Sequence, residues 1–161
     1  MNPHRVAIIP KDTDSEELKT WADEIIPGNN ITKTTQALQI HHGVLTGEIL
    51  DMNSLATFWL ELTQGAYGEV VRAKGIFDLV DGQIYYGDFT PEKSELEFKP
   101  LNLPRWLDGK PERKSGFEIV GSNLDKDEIA QTIEDCCVPE SIINYYQQQI
   151  KESLAMELET V

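Results

Sequence analysis

The stretch Arg72-Ala73-Lys74-Gly75-Ile76 decides the fold, because the chain changes there from helical to extended spacing. It lies within residues 69–79, which form an extended run, and a second extended run follows at residues 83–88. Asp81-Gly82 between the two runs is typical of a type I′ turn. The sequence therefore predicts an antiparallel hairpin.

Two further strands are predicted after this hairpin. Residues 94–99 alternate apolar and polar side chains, and Phe117-Glu118-Ile119-Val120-Gly121 is a second short extended run. Residues 100–114 between them contain three prolines and a glycine, which indicates a long loop. The four runs together predict a mainly antiparallel four-stranded sheet.

Helices are predicted on both sides of these strands. Residues 54–63 carry one apolar stripe, with Asn53 as the predicted N-cap and Gly65 as the C-terminal stop. A second helix is predicted from Asp125, which forms a capping-box pattern with Glu128. A long last helix is predicted after Val138-Pro139-Glu140, with the apolar stripe Ile143, Tyr146, Ile150, Leu154 and Leu158.

The N-terminal part predicts a β-α-β unit. Val6-Ala7-Ile8-Ile9 is typical of a buried parallel strand, and a capped helix is predicted from Asp14-Ser15-Glu16-Glu17 to about Ile26. Pro27-Gly28 should end that helix, and residues 30–35 should form the second strand. Residues 36–51, which the two glycines Gly43 and Gly47 interrupt, are predicted to be a short helix or turn that links the two halves.

Composition excludes several classes of protein. The chain has 161 residues, of which 40% are hydrophobic, so it is long enough to bury a core. Its formal charge of −14 opposes nonspecific binding to nucleic acid or to anionic lipid. No apolar run approaches the length of a membrane span, and the two cysteines are neighbours that do not form a disulfide framework. We therefore expect a cytoplasmic protein that binds neither nucleic acid nor membrane.

The strand Arg72-Ala73-Lys74-Gly75-Ile76, the Asp81-Gly82 hairpin and Ile119-Val120-Gly121 with Leu124-Asp125 carry a family resemblance. Together with the preceding helix, they resemble the C-terminal domain of CobW-type metal-chaperone GTPases over residues 53–138. The resemblance implies an α/β (α+β) fold in three parts. Residues 1–50 would be a β-α-β remnant of the end of a GTPase domain, residues 51–138 a CobW C-terminal-like domain, and residues 139–161 a helical extension.

The same resemblance implies that catalytic parts of the family are missing from this chain. In that family an N-K-x-D motif recognises guanine, whereas Pro10-Lys11-Asp12-Thr13 stands at the similar place and lacks both the Asn and the aligned Asp. The chain contains no G-x-x-x-x-G-K motif followed by Ser or Thr, which would cradle phosphates, and no C-x-C-C metal motif. We therefore expect no enzymatic activity and no bound nucleotide.

Four side chains are candidates for metal ligation. Cys136 and Cys137 carry soft sulfur ligands, which bind zinc or copper(I), and His41 and His42 carry imidazoles. Beside the family resemblance, zinc or cobalt is the metal expected at such a site. The cysteines share the register of the apolar face of their helix, which favours core packing. Adjacent histidines point to different sides of an extended chain, which favours an exposed turn.

Five side chains are candidates for binding a protein partner. Arg72 and Lys74 share one face of their strand and form a small basic spot, although salt bridges to Glu95 or Glu97 are the alternative. Arg105, Trp106 and Arg113 lie in the long loop, and these residue types are favoured at interfaces. The last helix either packs on the sheet or provides a surface for self-association.

The family resemblance, together with the missing phosphate-binding motif, implies a non-catalytic binding module that makes protein contacts in metal-ion homeostasis or in the delivery of metal for cobalamin. The expected partner is a P-loop GTPase or a metal-dependent protein. Two alternatives remain open. In the first, the chain is the C-terminal half of a split GTP-dependent metallochaperone, and in the second it carries metal directly.

Overall fold

The structure is a computed structural model that describes residues 4–10, 14–28, 37–92 and 97–160. The chain divides into two compact units, residues 1–37 and residues 38–161. Each unit is described by itself below. No described helix has the length and hydropathy needed to cross a membrane.

The first unit contains a parallel strand pair, whose second strand lies where the end of a helix was predicted. Strand β1 (Val6–Pro10) pairs in parallel with β2 (Glu24–Gly28), and helix α1 (Glu16–Trp21) connects them. The prediction that the helix continues to Ile26 is wrong. Ile25 and Ile26 are instead paired with Ala7 and Ile8, because strand pairing satisfies their backbone groups. The strand predicted at residues 30–35 lies outside the described residues.

The second unit is a five-stranded sheet with helices. In chain order its elements are β3 (Gln39–Val44), α2 (Met52–Thr63), β4 (Glu69–Asp78), β5 (Ile84–Phe89), β6 (Glu97–Pro100), β7 (Gly116–Ser122), α3 (Lys126–Asp135) and α4 (Glu140–Glu159). The strand order is β3-β7-β4-β5-β6, and all neighbours are antiparallel. The predicted mixed class with a mainly antiparallel sheet and a long last helix is confirmed, with one strand more than predicted.

The additional strand is β3, where a short helix or turn was predicted. All six residues of β3 are in register with β7, from Gln39 opposite Gly121 to Val44 opposite Gly116. Gly43 has a packing reason, since a Cβ there would lie 2.1 Å from the ring of Phe117. The glycine that argued against regular structure therefore makes room for a core aromatic side chain.

The core lies between one face of this sheet and helices α2 and α3. Trp59 is fully buried and packs edge-on against Phe77, with ring centroids 5.7 Å apart. Ile119 of β7 and Ile129 of α3 are also fully buried in the same cluster. We call the face of the sheet that packs on α2 and α3 the inner face, and the opposite one the outer face.

Gly75 is close-packed on the inner face. A Cβ on Gly75 would lie 2.3 Å from the ring of Phe77, so no larger residue fits without displacing a core aromatic. The irregularity in β4 lies elsewhere, between Val70 and Arg72, where the register to β7 shifts. The sequence pattern around Gly75 thus reflects packing of the sheet.

The hairpin between β4 and β5 is confirmed, but the predicted type I′ turn is wrong. Such a turn needs positive φ at both central residues, whereas Gly82 has φ of 81° and Asp81 is not among the residues with positive φ. Gly82 N donates to Leu79 O, and Leu79 N donates to Gln83 O. The loop is therefore a β-turn that is followed by one left-handed glycine.

The predicted N-cap of α3 is confirmed, while α1 is capped by Ser15 within the predicted Asp14-Ser15-Glu16-Glu17 stretch and the predicted N-cap of α2 is wrong. Asp51, not Asn53, is the N-cap, and its carboxylate accepts hydrogen bonds from Ser54 N at 2.9 Å and from Ser54 Oγ at 3.0 Å. Gly65 follows the helix with φ of 87°, as its predicted stop. Asp125 caps α3 by accepting from Glu128 N.

Helix α4 is attached to the sheet unit through its N-terminal half. Ile143 packs with Ile49 and Val138, and the buried Gln147 holds Gly109 by donating to its O at 2.9 Å and accepting from its N at 2.8 Å. The C-terminal half of the predicted stripe is not buried, since Leu158 is 78% exposed.

Candidate functional site

The outer face of the sheet presents apolar and charged side chains together. Alternation along β3 and β4 places Ile40, Val44, Arg72 and Ile76 on this face, and all four are exposed. Val44 is 84% exposed and Ile40 is 54% exposed. An antiparallel sheet commonly has one face on the core and one in solvent, and here the solvent face carries apolar side chains beside charged ones.

A row of charges crosses the outer face between these apolar side chains. Glu118 of β7 accepts a hydrogen bond from His42 Nε2 at 2.8 Å on one side and lies 3.3 Å from Lys74 Nζ on the other. The hydrogen bond from His42 and then that from Lys74 hold the pKa of Glu118 below its usual range. The row therefore keeps its carboxylate ionised and spans three neighbouring strands, β3, β7 and β4.

The predicted basic spot of Arg72 and Lys74 lies on this outer face. The sequence proposed Glu95 or Glu97 as a salt-bridge partner, but Glu97 lies 3.3 Å from Lys99, and Glu95 is outside the described residues. The carboxylate beside Lys74 is Glu118, which had not been singled out. The alternation of Glu118 with the apolar residues on either side of it was a signal for its outward position.

A cavity of about 490 Å³ lies between β3 and α3. We call it the β3–α3 cavity. Its apolar walls include Leu45, Phe117, Ile133 and Val138. Its charged lining residues are Glu48, Glu134 and Glu140, of which Glu48 and Glu140 lie within 4 Å of Lys110 Nζ.

His41 and Cys137 also line this cavity. The Nε2 atom of His41 is buried and has no hydrogen-bond partner among the described residues. Its ring lies 5.7 Å from that of Phe117, centroid to centroid. Burial, and then the charges of Lys126 and His42, lower the pKa of His41, so its imidazole is neutral at pH 7.

The four predicted metal ligands are not brought to one point. His42 bonds to Glu118 on the outer face, while Cys136 is buried and its Sγ donates to Thr132 O. Burial raises the pKa of both thiols, Cys136 and Cys137, to about 11, so neither is a thiolate at pH 7. Within the described ranges, no group of three or more His, Cys, Asp or Glu side chains is arranged to hold a metal ion.

The loop between β6 and β7 contains the other predicted partner-binding residues. Arg105 Nη1 donates to Asp81 O at 2.8 Å, and Trp106 N donates to Gly82 O, so both hold the loop to the β4–β5 turn. The Trp106 ring remains partly exposed. Arg105 and Trp106 therefore lie together beside this turn.

Arg113 is the most buried of the predicted contact residues. Its Nε donates to Asp78 Oδ1 at 2.6 Å, while Nη1 and Nη2 donate to Pro104 O and Gly82 O. Burial raises the pKa of Asp78, and the Arg113 guanidinium opposes that rise. The Arg113 guanidinium thus fixes the long loop on the end of β4. No spacing in the sequence predicted this role.

Comparisons with known proteins place the chain in context. The family model of the cobalamin synthesis protein cobW C-terminal domain matches residues 48–137. Two solved structures are similar to the chain: the Zn(II)-bound YjiA GTPase from E. coli and a Zn(II)-bound triple mutant of YjiA GTPase. Each is 12% identical, with a TM-score of 0.48, and the match covers 82% of this chain. The chain spans about half of those structures, since 52% of each is covered. No curated protein matches the sequence.

Proposed function

The chain belongs to the family of the cobalamin synthesis protein cobW C-terminal domain, and from this premise we propose that it works as a non-catalytic protein-binding module in metal-ion homeostasis. The family match covers more than half of the chain and includes β4, β7 and α3. It concerns the C-terminal domain of a metallochaperone-type GTPase family. The proposed role is therefore one of contact with other proteins.

The observation that carries the proposal is the composition of the outer face. Ile40 and Val44 offer apolar area, Arg72 offers an exposed guanidinium, and the row of His42, Glu118 and Lys74 lies among them. Arginine with exposed aliphatic side chains forms effective interface centres, while charged groups between them improve specificity. Strand pairing holds all of these groups on a rigid sheet.

Affinity purification from the source cells, with metal analysis of the same eluate, tests this function. The tagged full chain should recover a protein partner that is a P-loop GTPase or a metal-dependent protein. The purified chain alone should show no GTP hydrolysis above buffer. Hydrolysis that is abolished by a substitution within this chain would overturn the proposal.

A matched pair of variants identifies the surface. Arg72→Glu reverses a charge on the outer face, and Lys151→Glu makes the same charge change on α4, next to Asp108. Partner recovery should fall for Arg72→Glu and persist for Lys151→Glu. Equal recovery with both variants would remove the outer face from the proposal.

A second candidate function is the C-terminal half of a split GTP-dependent metallochaperone. The observation that favours it is the first unit, whose parallel strands β1 and β2 leave Ile8, Ile25 and Ile26 exposed. Parallel sheets are usually covered on both faces, so this pair is suited to further strands and helices from another polypeptide. Restoration of GTP hydrolysis on mixing with a recovered P-loop partner would support it, and an inactive mixture would contradict it.

Direct carriage of zinc or cobalt is a third candidate, with His41 and Cys137 on the walls of one cavity as the favourable observation. The arrangement of the described side chains does not fit a structural zinc site, which takes four ligands. Titration with zinc or cobalt in a calorimeter tests this candidate at neutral pH. Stoichiometric heat that His41→Ala removes would support it, and absence of heat would eliminate it.

A further inference from the structure

Among the described residues, β3 pairs with a neighbouring strand on one side only, where it meets β7. Leu45 N donates to Ser115 O, so Leu45 and the residues two and four before it point their backbone groups toward β7. The backbone groups of Ile40, His42 and Val44 therefore point away from β7. Lys126 Nζ covers Ile40 O at 3.2 Å, and no strand in the described part of the second unit pairs with this side.

The β3–α3 cavity runs along this unpaired side. Five consecutive residues, 41–45, line it from the strand, while Ala130, Ile133, Glu134 and residues 137–140 line it from α3 and the start of α4. A strand added beside His42 and Val44 would therefore direct alternate side chains into the cavity. The residue opposite Gly43 would project on the inner side, next to Ile133 and Val138.

The walls select one kind of side chain. Leu45, Phe117, Ile133 and Val138 are apolar, so the inserted side chain should be aliphatic. The buried Nε2 of His41, which has no hydrogen-bond partner among the described residues, offers one polar atom at one end of the cavity. A single branched apolar side chain fits a volume of about 490 Å³ together with part of the added backbone.

The charge of the cavity selects the flanking residues. Glu48, Glu134 and Glu140 line the cavity, and Lys110 approaches two of them at 3.6 and 3.8 Å. Three carboxylates against Lys110 and, at the Ile40 end of the strand, Lys126 leave the opening negative, on a chain with a formal charge of −14. An acidic segment would be repelled and a basic segment would be attracted.

We propose that an extended basic segment of a partner protein adds to the free side of β3 as a further strand and inserts one aliphatic side chain into the β3–α3 cavity. Main-chain hydrogen bonds to His42 and Val44 would supply affinity, and the cavity and its carboxylates would supply specificity. The proposal rests on the function proposed above, protein binding, but uses the edge of the sheet instead of its outer face.

A short synthetic peptide tests this site on the full chain. The probe is acetyl-Lys-Thr-Leu-Thr-Lys-amide, and its counterpart carries Glu in place of both Lys. Binding is followed by backbone amide shifts in NMR and by calorimetry. The basic peptide should shift the amides of residues 42–45 and 133–138, and should bind at least about tenfold more tightly than the acidic counterpart.

Backbone pairing is tested without changing the protein. In an added strand, every second peptide N–H faces β3 and the others face solvent. Two N-methylated probes should therefore differ. Methylation of the N–H groups that face β3 should weaken binding about three- to tenfold or more, and methylation of the N–H groups that face solvent should leave binding nearly unchanged. If both methylated probes bind like the parent peptide, strand addition is overturned.

Val44→Pro tests whether the peptide pairs with the backbone of β3, and Val44→Ala is its matched control. Proline removes an N–H that faces away from β7, so β3 keeps its pairing and the variant should fold. Peptide affinity should fall about three- to tenfold for Val44→Pro and stay within about twofold for Val44→Ala. Equal affinity of the two variants would contradict the proposal.

Glu134→Lys tests the charge of the cavity, with Glu152→Lys as a control for net charge. Glu134→Lys should weaken binding of the basic peptide, and Glu152→Lys should leave that binding unchanged. No binding of the basic peptide to the folded chain would overturn the β3 site. Loss of partner recovery with Arg72→Glu would in that case still support the outer face, so the two proposals fail separately.

Discussion

Arg113 and Asp78 are 35 positions apart in the chain and form a hydrogen-bonded ion pair, with Nε 2.6 Å from Oδ1. Asp78 is 2% exposed, and its second oxygen has no hydrogen-bond partner among the described residues. The guanidinium also donates to Pro104 O and Gly82 O. One side chain thus joins the end of β4, the β4–β5 turn and the long loop before β7.

Arg113→Ala should destabilise the protein by about 3 kcal/mol, because it leaves the buried Asp78 carboxylate without its counterion. Denaturant unfolding at pH 7 measures this loss. Arg113→Lys should lose less stability than Arg113→Ala, because a lysine keeps the positive charge but lacks the planar set of donors. A loss below about 0.5 kcal/mol for Arg113→Ala would contradict the role given to the pair.

The same variant should show a pH dependence of known sign. Burial raises the pKa of Asp78 in the folded state and Arg113 lowers it, so removing Arg113 raises the pKa further. The folded variant then binds a proton more readily than the unfolded chain, and its stability rises as pH falls through that pKa. The stability difference between wild type and Arg113→Ala should therefore shrink from pH 7 toward pH 4. A difference that grows in that range would contradict the assignment.

Asp51→Ala and Asn53→Ala separate the observed helix cap from the one expected from the sequence. Asp51 accepts from Ser54 N and Ser54 Oγ, so its replacement should cost about 1 kcal/mol. Asn53→Ala should change stability by less than about 0.5 kcal/mol. Thermal unfolding of both variants against wild type provides the measurement. A larger loss of stability for Asn53→Ala than for Asp51→Ala would show that Asn53 is the N-cap, as the sequence predicted.

Cysteine labelling tests the burial of α3 against the core. The pKa of each thiol is about 11 because of burial, and the thiolate is the reactive form. At pH 8, labelling of native protein should be about a hundredfold slower than that of a free thiol. Cys137, which is partly exposed, should react before Cys136. Rapid reaction of both in the native protein, at the rate seen in denaturant, would show that they are not buried.

Gln147→Ala tests how α4 is attached to the sheet unit. Gln147 satisfies both backbone groups of Gly109, so the variant should lose about 1 to 3 kcal/mol. Gln148→Ala is the matched control, since its side chain bonds only within α4, to Glu152. Hydrogen exchange should show increased opening of α4 in Gln147→Ala alone. Equal protection of α4 in both variants would contradict the attachment.

Local spacing predicted much of the fold, since α2, α3, the hairpin and β7 each carry a period that can be seen in a single stretch. Strand β3 was missed because His41-His42-Gly43 hides its alternation, and Gly43 is explained only by Phe117, a residue far away in the chain. The end of α1 was missed because Ile25 and Ile26 continue a helical stripe but are paired with β1.

The candidate site was less predictable, because its contacts join distant residues. The outward position of Arg72 and Lys74 follows from alternation in one strand, while Glu118 beside Lys74 depends on the register of β4 with β7. The role of Arg113 depends on Asp78, and no pattern near either residue points to the other. The roles proposed for Arg105 and Trp106 in partner contacts stay predictions.

The central claim is that the outer face of the sheet binds a protein partner. Its most direct test compares, by quantitative mass spectrometry, the partner recovered from source cells by wild type, Arg72→Glu and Lys151→Glu at equal bait. We predict that recovery falls about tenfold or more with Arg72→Glu, as expected for loss of an interface arginine, and is retained with Lys151→Glu. Recovery that is the same for all three proteins, each shown to be folded, would contradict the claim.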